Sequence, residues 1–172
     1  MKILETERAI LREVAKDDAE FILDLLNQPS FVRYIGDRNV RTIEQARDYI
    51  ESRFKESYKK FGFGLWTVEL KETNAPVGIC GFVKRDSLPA ADIGFAFLPQ
   101  YERKGYAFES ADAVMKYGRD VLNLKRVLAI TSQDNESSGR LLAKIGFKFE
   151  RLIKFPPDDE ELKLFSSNYA GN

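Results

Sequence analysis

The chain of 172 residues has no histidine. That absence removes Ser-His-Asp and Cys-His catalysis, and with it the commonest zinc ligand, so no metal is expected. There is a single cysteine, Cys80. It has no partner for an internal disulfide and fits a reducing compartment. Neither charge sign is in excess, with 27 Lys+Arg against 27 Asp+Glu. No net field therefore draws in nucleic acid or an anionic membrane. No apolar run approaches a membrane span, and the opening Met1–Arg8 has no apolar signal core. A cytoplasmic protein is expected, with neither a nucleic-acid nor a membrane partner. The sequence has no repeat, low-complexity tract or Pro/Gly-rich linker, which predicts one domain over residues 1–172.

What is present is a mixture of two periods. Ala9–Arg12 predicts a short strand. Asp17 or Asp18 starts a helix that turns Ile22, Leu25 and Leu26 inward, and Pro29 ends it. A loop through Tyr34–Arg38 follows. Thr42 with Gln45 predicts a capping box for a second helix, whose apolar face is Ala46, Ile50, Phe54 and Tyr58. Strands are predicted at 64–69, 77–82 and 92–98, the last stopped by Pro99, which lacks an N–H. After Gly105 a long helix carries Ala107, Ala111, Val114, Met115, Gly118 and Val121 as one buried stripe. A strand over 126–131 comes next, then a short helix capped by Asn135 and closed by Gly146. Strands at 147–153 and about 161–165 complete the chain, joined through Pro156–Asp159. The fold class is mixed α/β, without the regular alternation of a doubly wound sheet.

The segment Glu102-Arg103-Lys104-Gly105-Tyr106-Ala107 lies between a strand and the long helix. The first N–H groups of a helix lack intrahelical partners and sit at the positive end of its dipole, which favours an anion such as a pyrophosphate. Gly105 lets backbone approach the ligand, and Arg103 and Lys104 add charge. The plain alternative is a turn whose glycine serves only its dihedral angles. Neither a P-loop nor a dinucleotide fingerprint fits, because Gly105 is not followed by Lys-Ser/Thr and Gly62-Phe63-Gly64 lacks its third glycine.

About thirty residues on stand Asn135, Ser138, Leu141, Leu142, Gly146 and Phe147. The two segments together resemble the GNAT N-acetyltransferases. The first is similar to that family's Gln/Arg-x-x-Gly-x-Gly/Ala turn, here Glu102-x-x-Gly105-x-Ala107. The second is similar to its Asn-x-x-Ser/Ala…Leu-Leu…Gly-Phe helix. The resemblance extends to the ribosomal-protein N-terminal acetyltransferase branch, including the early Leu11-Arg12 strand. It implies a central, mostly antiparallel twisted sheet of about seven strands, splayed between the fourth and fifth, and flanked by about four helices.

The resemblance also implies acetyl-CoA as cosubstrate and an amine as acceptor, with direct transfer in a ternary complex. A CoA-binding module without transferase activity is the alternative. Phe95, Ala96, Phe97 and Leu98 would offer backbone groups to pantetheine. Arg103, Lys104, Gly105, Tyr106 and Ala107 would hold the pyrophosphate, and Asn135 and Ser138 would reach the pantetheine arm. Glu102 departs from the pattern and is expected to point to solvent. Many relatives place a tyrosine general acid where Leu142 stands here. Ser138 is then the polar candidate, acting through water, and Asp92 is the candidate base or substrate anchor. Tyr34, Asp37 and Trp66 are candidates for the acceptor pocket, and Arg38 or Arg41 for a substrate carboxylate. Cys80 is expected to be a buried thiol rather than a nucleophile. A monomer or a homodimer is compatible with all of this.

Overall fold

The computed structural model describes residues 1–156 and 159–169. Its centre is an eight-stranded sheet: β1 (Lys2–Glu5), β2 (Ala9–Arg12), β3 (Leu65–Leu70), β4 (Pro76–Val83), β5 (Asp92–Phe97), β6 (Arg126–Ser132), β7 (Lys148–Phe155) and β8 (Glu160–Asn168). The strand order is β1-β2-β3-β4-β5-β6-β8-β7. Every neighbouring pair is antiparallel except β5 and β6. The sheet is mixed α/β as expected, with one strand more than the sequence suggested. The extra strand is β1, a four-residue segment with no apolar alternation to announce it. Strand β8 slots between β6 and β7. Of the connection expected through Pro156–Asp159, Pro157 and Asp158 lie outside the described residues.

Helices cover both faces. On one side α1 (Ala19–Leu26), α2 (Pro29–Tyr34) and the helix from Ile43 to Phe61 bury Ile22, Leu25, Leu26, Phe31, Ala46, Ile50 and Phe54 against Ile79 and Leu98. On the other, α5 (Tyr106–Asp120) and α6 (Glu136–Lys144) bury Ala111, Val114, Met115 and Leu142 against Trp66, Val68, Cys80, Phe82 and Ile93. Val121, expected in that stripe, is 57 % exposed, because α5 ends at Asp120 and the chain turns away there. Pro29 does not simply end a helix. It occupies the first turn of α2, where its missing N–H costs nothing, and of the loop expected over Tyr34–Arg38 only Tyr34 is helical.

The helix after Thr42 shows how sequence period sets geometry. Thr42 accepts the Gln45 N–H at 3.1 Å, and Gln45 Oε1 accepts from the Arg41 N–H at 2.7 Å, one residue before the position a capping box uses. Its apolar residues recur every fourth position, so their face drifts by about 40° per step in a regular α-helix. The chain absorbs the drift by widening: α3 (Ile43–Tyr49) passes into a π-helical segment, Ile50–Lys55, before α4 (Glu56–Phe61). Tyr58 arrives in phase, and its hydroxyl accepts the Val14 N–H at 3.1 Å and donates to the Leu65 carbonyl.

A buried ionic network fixes the first half of the sheet. Arg12 donates to both oxygens of Asp18 at 2.8 and 2.9 Å and to Glu69 at 2.6 Å. Asp18 also accepts the Ala15 N–H at 2.8 Å. It therefore ties α1 to β2 rather than capping the helix with its side chain. Burial pushes the Asp18 carboxyl up, but the bonds from Arg12 and Ala15 outweigh it and hold the group below its ordinary value.

Candidate active site

Strands β5 and β6 run parallel but pair only at Asp92 and Leu128, where the Leu128 N–H reaches the Ala91 carbonyl at 2.9 Å. Beyond that point they part. The sheet therefore opens in its middle, and Gly94, Phe95 and Ala96 are half-buried although they belong to an interior strand.

Register decides which backbone groups line the gap. The Leu98 N–H is bonded to the Val77 carbonyl at 2.9 Å, so residues 96 and 94, in the same phase, direct their backbone groups toward β4. Alternation then turns the N–H and C=O of Phe95 and Phe97 toward the gap. Of the four residues expected to offer backbone groups there, Phe95 and Phe97 do so. Ala96 and Leu98 do not: the Ala96 groups face β4, the Leu98 N–H is bonded to Val77 and the Leu98 carbonyl accepts the Tyr101 N–H at 3.0 Å. The Phe95 and Phe97 side chains pack on the α5 side, so backbone and side chain of each serve different ends.

At its far end β5 leads through Pro99–Tyr101 into the turn that starts α5. Arg103 and Gly105 both adopt left-handed backbone, with φ of 61° and 86°. For Arg103 that conformation is costly, and it is the kind of local strain that concentrates at functional sites. Gly105 occupies the N-cap position and has no side chain to satisfy the first helix donors. Arg103 and Lys104 are exposed and form no ion pair among the described residues. Glu102 is exposed as well, which agrees with the solvent-facing orientation expected of it.

Because β5 and β6 are parallel, β6 leads into α6 at the same end of the pair at which β5 leads into this turn. Asn135 Oδ1 accepts the Ser138 N–H at 3.2 Å and caps the helix. Its Nδ2 donates to no group among the described residues, so the cap leaves a donor free. Ser138 is half-buried beside it. Leu142 is buried in the core and supplies no acid there. On β6, Thr131 Oγ1 is buried without a hydrogen-bond partner.

Asp92 stands where β5 and β6 still touch. It is 1 % exposed and accepts from Arg85 Nε at 3.1 Å. Burial pushes its carboxyl up to about 6, with Arg85 opposing. Cys80 is buried in β4, and burial pushes its thiol up, which makes it a poor nucleophile.

The expected acceptor residues divide. Tyr34 ends α2, with the Arg33 guanidinium over its ring at 5.0 Å. Arg33 pairs with Asp134 at 3.0 Å, which brings this helix to the β6–α6 turn beside Asn135. Asp37 is engaged locally, accepting from Arg41 at 2.6 Å and from the Asn39 N–H at 2.8 Å. It shapes the loop, and Arg41 is committed to it. Trp66 is not at the pocket: its side chain is 1 % exposed, packed edge-on against Tyr117 and Phe82 under α5. The strand's alternation, taken with Val68 and Leu70, places that ring inward.

The sequence also concealed a cluster at the turn. Arg8, with Thr6 and Glu109, contacts Lys104 and Tyr106. No spacing rule joins residues a hundred positions apart.

The sheet thus parts between two parallel strands and leads to an uncapped helix start with free cations, a form that suits one extended, anionic ligand. Comparison with known proteins gives the family. Residues 8–148 match the acetyltransferase (GNAT) domain. The chain is 36 % identical to the uncharacterized N-acetyltransferase YoaA of Bacillus subtilis over 88 % of this chain and 86 % of that one. It is 31 % identical to the ribosomal protein uS5 alanine N-acetyltransferase of Escherichia coli, over 64 % and 56 %. A GNAT-family acetyltransferase of Bacillus anthracis superimposes with a TM-score of 0.77 at 29 % identity, covering 96 % of each chain. A ribosomal-protein α-N acetyltransferase solved with coenzyme A shares the fold at a TM-score of 0.85 and 15 % identity over the full length of both. The chain belongs to the GNAT acetyltransferase family, and it is an N-acetyltransferase, moving an acetyl group from acetyl-CoA to an amine.

Proposed function

We propose that this chain acetylates a primary amine, of a protein N-terminus or a small molecule, by direct attack in a ternary complex, and that the β5–β6 gap is where transfer occurs. The observation that carries the reading is the continuity of that gap with the start of α5. Together they offer an unpaired strand edge and an uncapped set of helix donors to one extended, anionic ligand.

The N–H groups of Gly105, Tyr106 and Ala107 hold the pyrophosphate, with Arg103 and Lys104 beside it. Phe95 and Phe97 bind pantetheine as a strand edge binds an added strand. Asn135 donates its free Nδ2 to the same arm, and Ser138 lies next to it. Bound acetyl-CoA supplies an activated acyl carbon and a thiolate leaving group. An N–H of Phe95 or Phe97 stabilises the charge that develops on the thioester oxygen. As the amine nitrogen bonds to the acyl carbon and the carbon–sulfur bond breaks, Asp92 takes the amine proton. Ser138 passes a proton to the departing sulfur through water. Tyr34 and the Asp37–Arg41 loop frame the acceptor's approach.

A protein N-terminus is one acceptor class, supported by the uS5 alanine enzyme at 31 % identity. A polyamine is another, supported by the spermidine N(1)-acetyltransferase of Escherichia coli at 27 %. No helix among the described residues is long and apolar enough to cross a membrane. With one free, buried cysteine, we place the enzyme in the cytoplasm, acting as a single domain and as monomer or homodimer.

The test is thiol release from acetyl-CoA across a panel of N-terminal peptides, polyamines and amino acids. Turnover on a primary amine at a rate first order in both reactants is expected. Coenzyme A binding without turnover on any amine would leave a binding module and overturn the reading.

A further inference from the structure

Arg8 lies in the link between β1 and β2; its carbonyl accepts the Lys71 N–H at 2.9 Å, but its N–H and its side chain reach the first turn of α5 and the turn that leads into it. Its Nε donates to Glu109 Oε1 at 2.8 Å, and its backbone N–H donates to Glu109 Oε2 at 2.9 Å. The Thr6 hydroxyl donates to that same Oε2. Nη1 donates to the Lys104 carbonyl at 2.9 Å, and the guanidinium lies over the Tyr106 ring at 4.3 Å. A Cβ on Gly105 would stand 3.1 Å from Nη2. One side chain thus touches positions 104, 105, 106 and 109.

Two features argue against a merely structural pair. The Arg8 side chain is 42 % exposed, and exposed ion pairs add little to stability. The segment it grips is also one that resists its own conformation, with a left-handed arginine at 103. A fork with fixed geometry suits that task, because a guanidinium can serve a carboxylate, a carbonyl and an aromatic face together, whereas an ammonium cannot. Glu109 is held below the ordinary carboxylate range: burial raises it, but the bonds from Thr6 and Arg8 outweigh that, so it stays charged to anchor the fork.

We infer that Arg8 is a positioning residue that pre-organises the 103–107 turn for the coenzyme A pyrophosphate. The inference rests on the proposed reading of that turn. A turn already held in its binding shape loses less freedom when the ligand arrives, so affinity is gained without new ligand contacts.

The experiment compares wild type, R8A, R8K and E109Q by calorimetric titration of coenzyme A, by kcat and KM for acetyl-CoA, and by urea unfolding. R8A is expected to raise the coenzyme A Kd and the acetyl-CoA KM about ten-fold, leave kcat within about two-fold, and hardly move the urea midpoint. R8K restores the charge without the fork and is expected to recover less than half of the lost affinity. E109Q, which loosens the anchor but leaves Arg8 in place, is expected to weaken binding in the same direction. R8A binding coenzyme A like wild type, or R8K restoring it fully, would overturn the inference. So would a loss of affinity matched by an equal loss of stability. A wild type that fails to bind coenzyme A at all would instead overturn the reading of the turn, and the inference with it.

Discussion

Arg8 and Arg12 stand four residues apart in one chain segment, and each pairs with a carboxylate of another element, Arg12 through two guanidinium nitrogens onto Asp18 and Arg8 through Nε onto Glu109. They differ in burial. Arg12 is 24 % exposed and its partner Asp18 only 7 %, inside a network that also satisfies Glu69 and the Ala15 N–H. Arg8 is 42 % exposed, and its partner Glu109 is 20 % exposed. The first network is closed: its donors and acceptors answer one another and hold β2, β3 and α1 together. The second is open: it grips a turn whose own helix donors and two cations point to solvent. The same chemistry therefore shows in different measurements. Losing a buried partner strands a charge and costs stability, whereas losing an exposed one frees a loop and costs affinity.

Asp18→Ala tests the closed side and should have the largest effect. It leaves Arg12 short of its main partner and should lower unfolding stability by about 3–5 kcal/mol, read by urea titration on Trp66 fluorescence. Coenzyme A affinity of the folded protein should stay within about two-fold. The pH dependence has a definite sign. Because the folded Asp18 carboxyl lies below its ordinary value, its stabilisation is present at neutral pH and above, and is lost as pH falls into the acid range. The variant should lack that acid limb.

Asp92 sharpens the contrast, because it is as buried as Asp18 but has one partner instead of a network. Its carboxyl is pushed up to about 6 by burial. The folded state thus favours its protonated form, and the group's contribution to stability declines as pH rises from about 4 to about 6. As a base it works only above that range, so kcat/KM should rise with pH through about 6. Asp92→Asn should remove that limb and lower the rate by about 100-fold. A pH–rate profile unchanged in the variant would exclude Asp92 as the base.

Gly105→Val attacks the open side. A β-branched residue at φ of 86° costs about 1–2 kcal/mol, and the turn can escape by moving. Coenzyme A binding should fall by more than that strain alone explains, at least about 30-fold, while the protein stays folded. Equal losses in binding and stability would reduce the glycine to a hinge. Glu102→Gln should have the smallest effect. Removing one exposed negative charge near the helix start should tighten coenzyme A by about two- to five-fold, and the gain should shrink as salt is raised.

Much of the frame was legible because it rests on local rules. The Ile22–Leu26 face, the Thr42 cap, the Asn135 cap and the stop at Pro99 all follow from periodicity and end chemistry within a few residues. The turn at Gly105 was legible for the same reason. What stayed hidden depends on distant pairing. The four residues of β1 carry no pattern of their own and become a strand only beside β2. Which backbone groups of β5 face the gap depends on register with β4, so Ala96 and Leu98 could not be separated from Phe95 and Phe97 beforehand. Trp66 was a candidate for the acceptor pocket, and only its packing against Tyr117 of α5 and Phe82 of β4 shows that it is covered. Arg8 read as part of a featureless start, because its meaning lies a hundred residues on.

The central claim is that the Phe95–Phe97 edge and the 103–107 turn form one continuous site for acetyl-CoA. Amide hydrogen exchange with and without saturating coenzyme A tests it directly. The amides of Phe95, Phe97, Gly105, Tyr106 and Ala107 should slow together by at least about ten-fold, while those of β2 and β3 around the Arg12–Asp18 network stay unchanged. Protection confined to other elements, or unchanged exchange at both segments under saturating ligand, would contradict it.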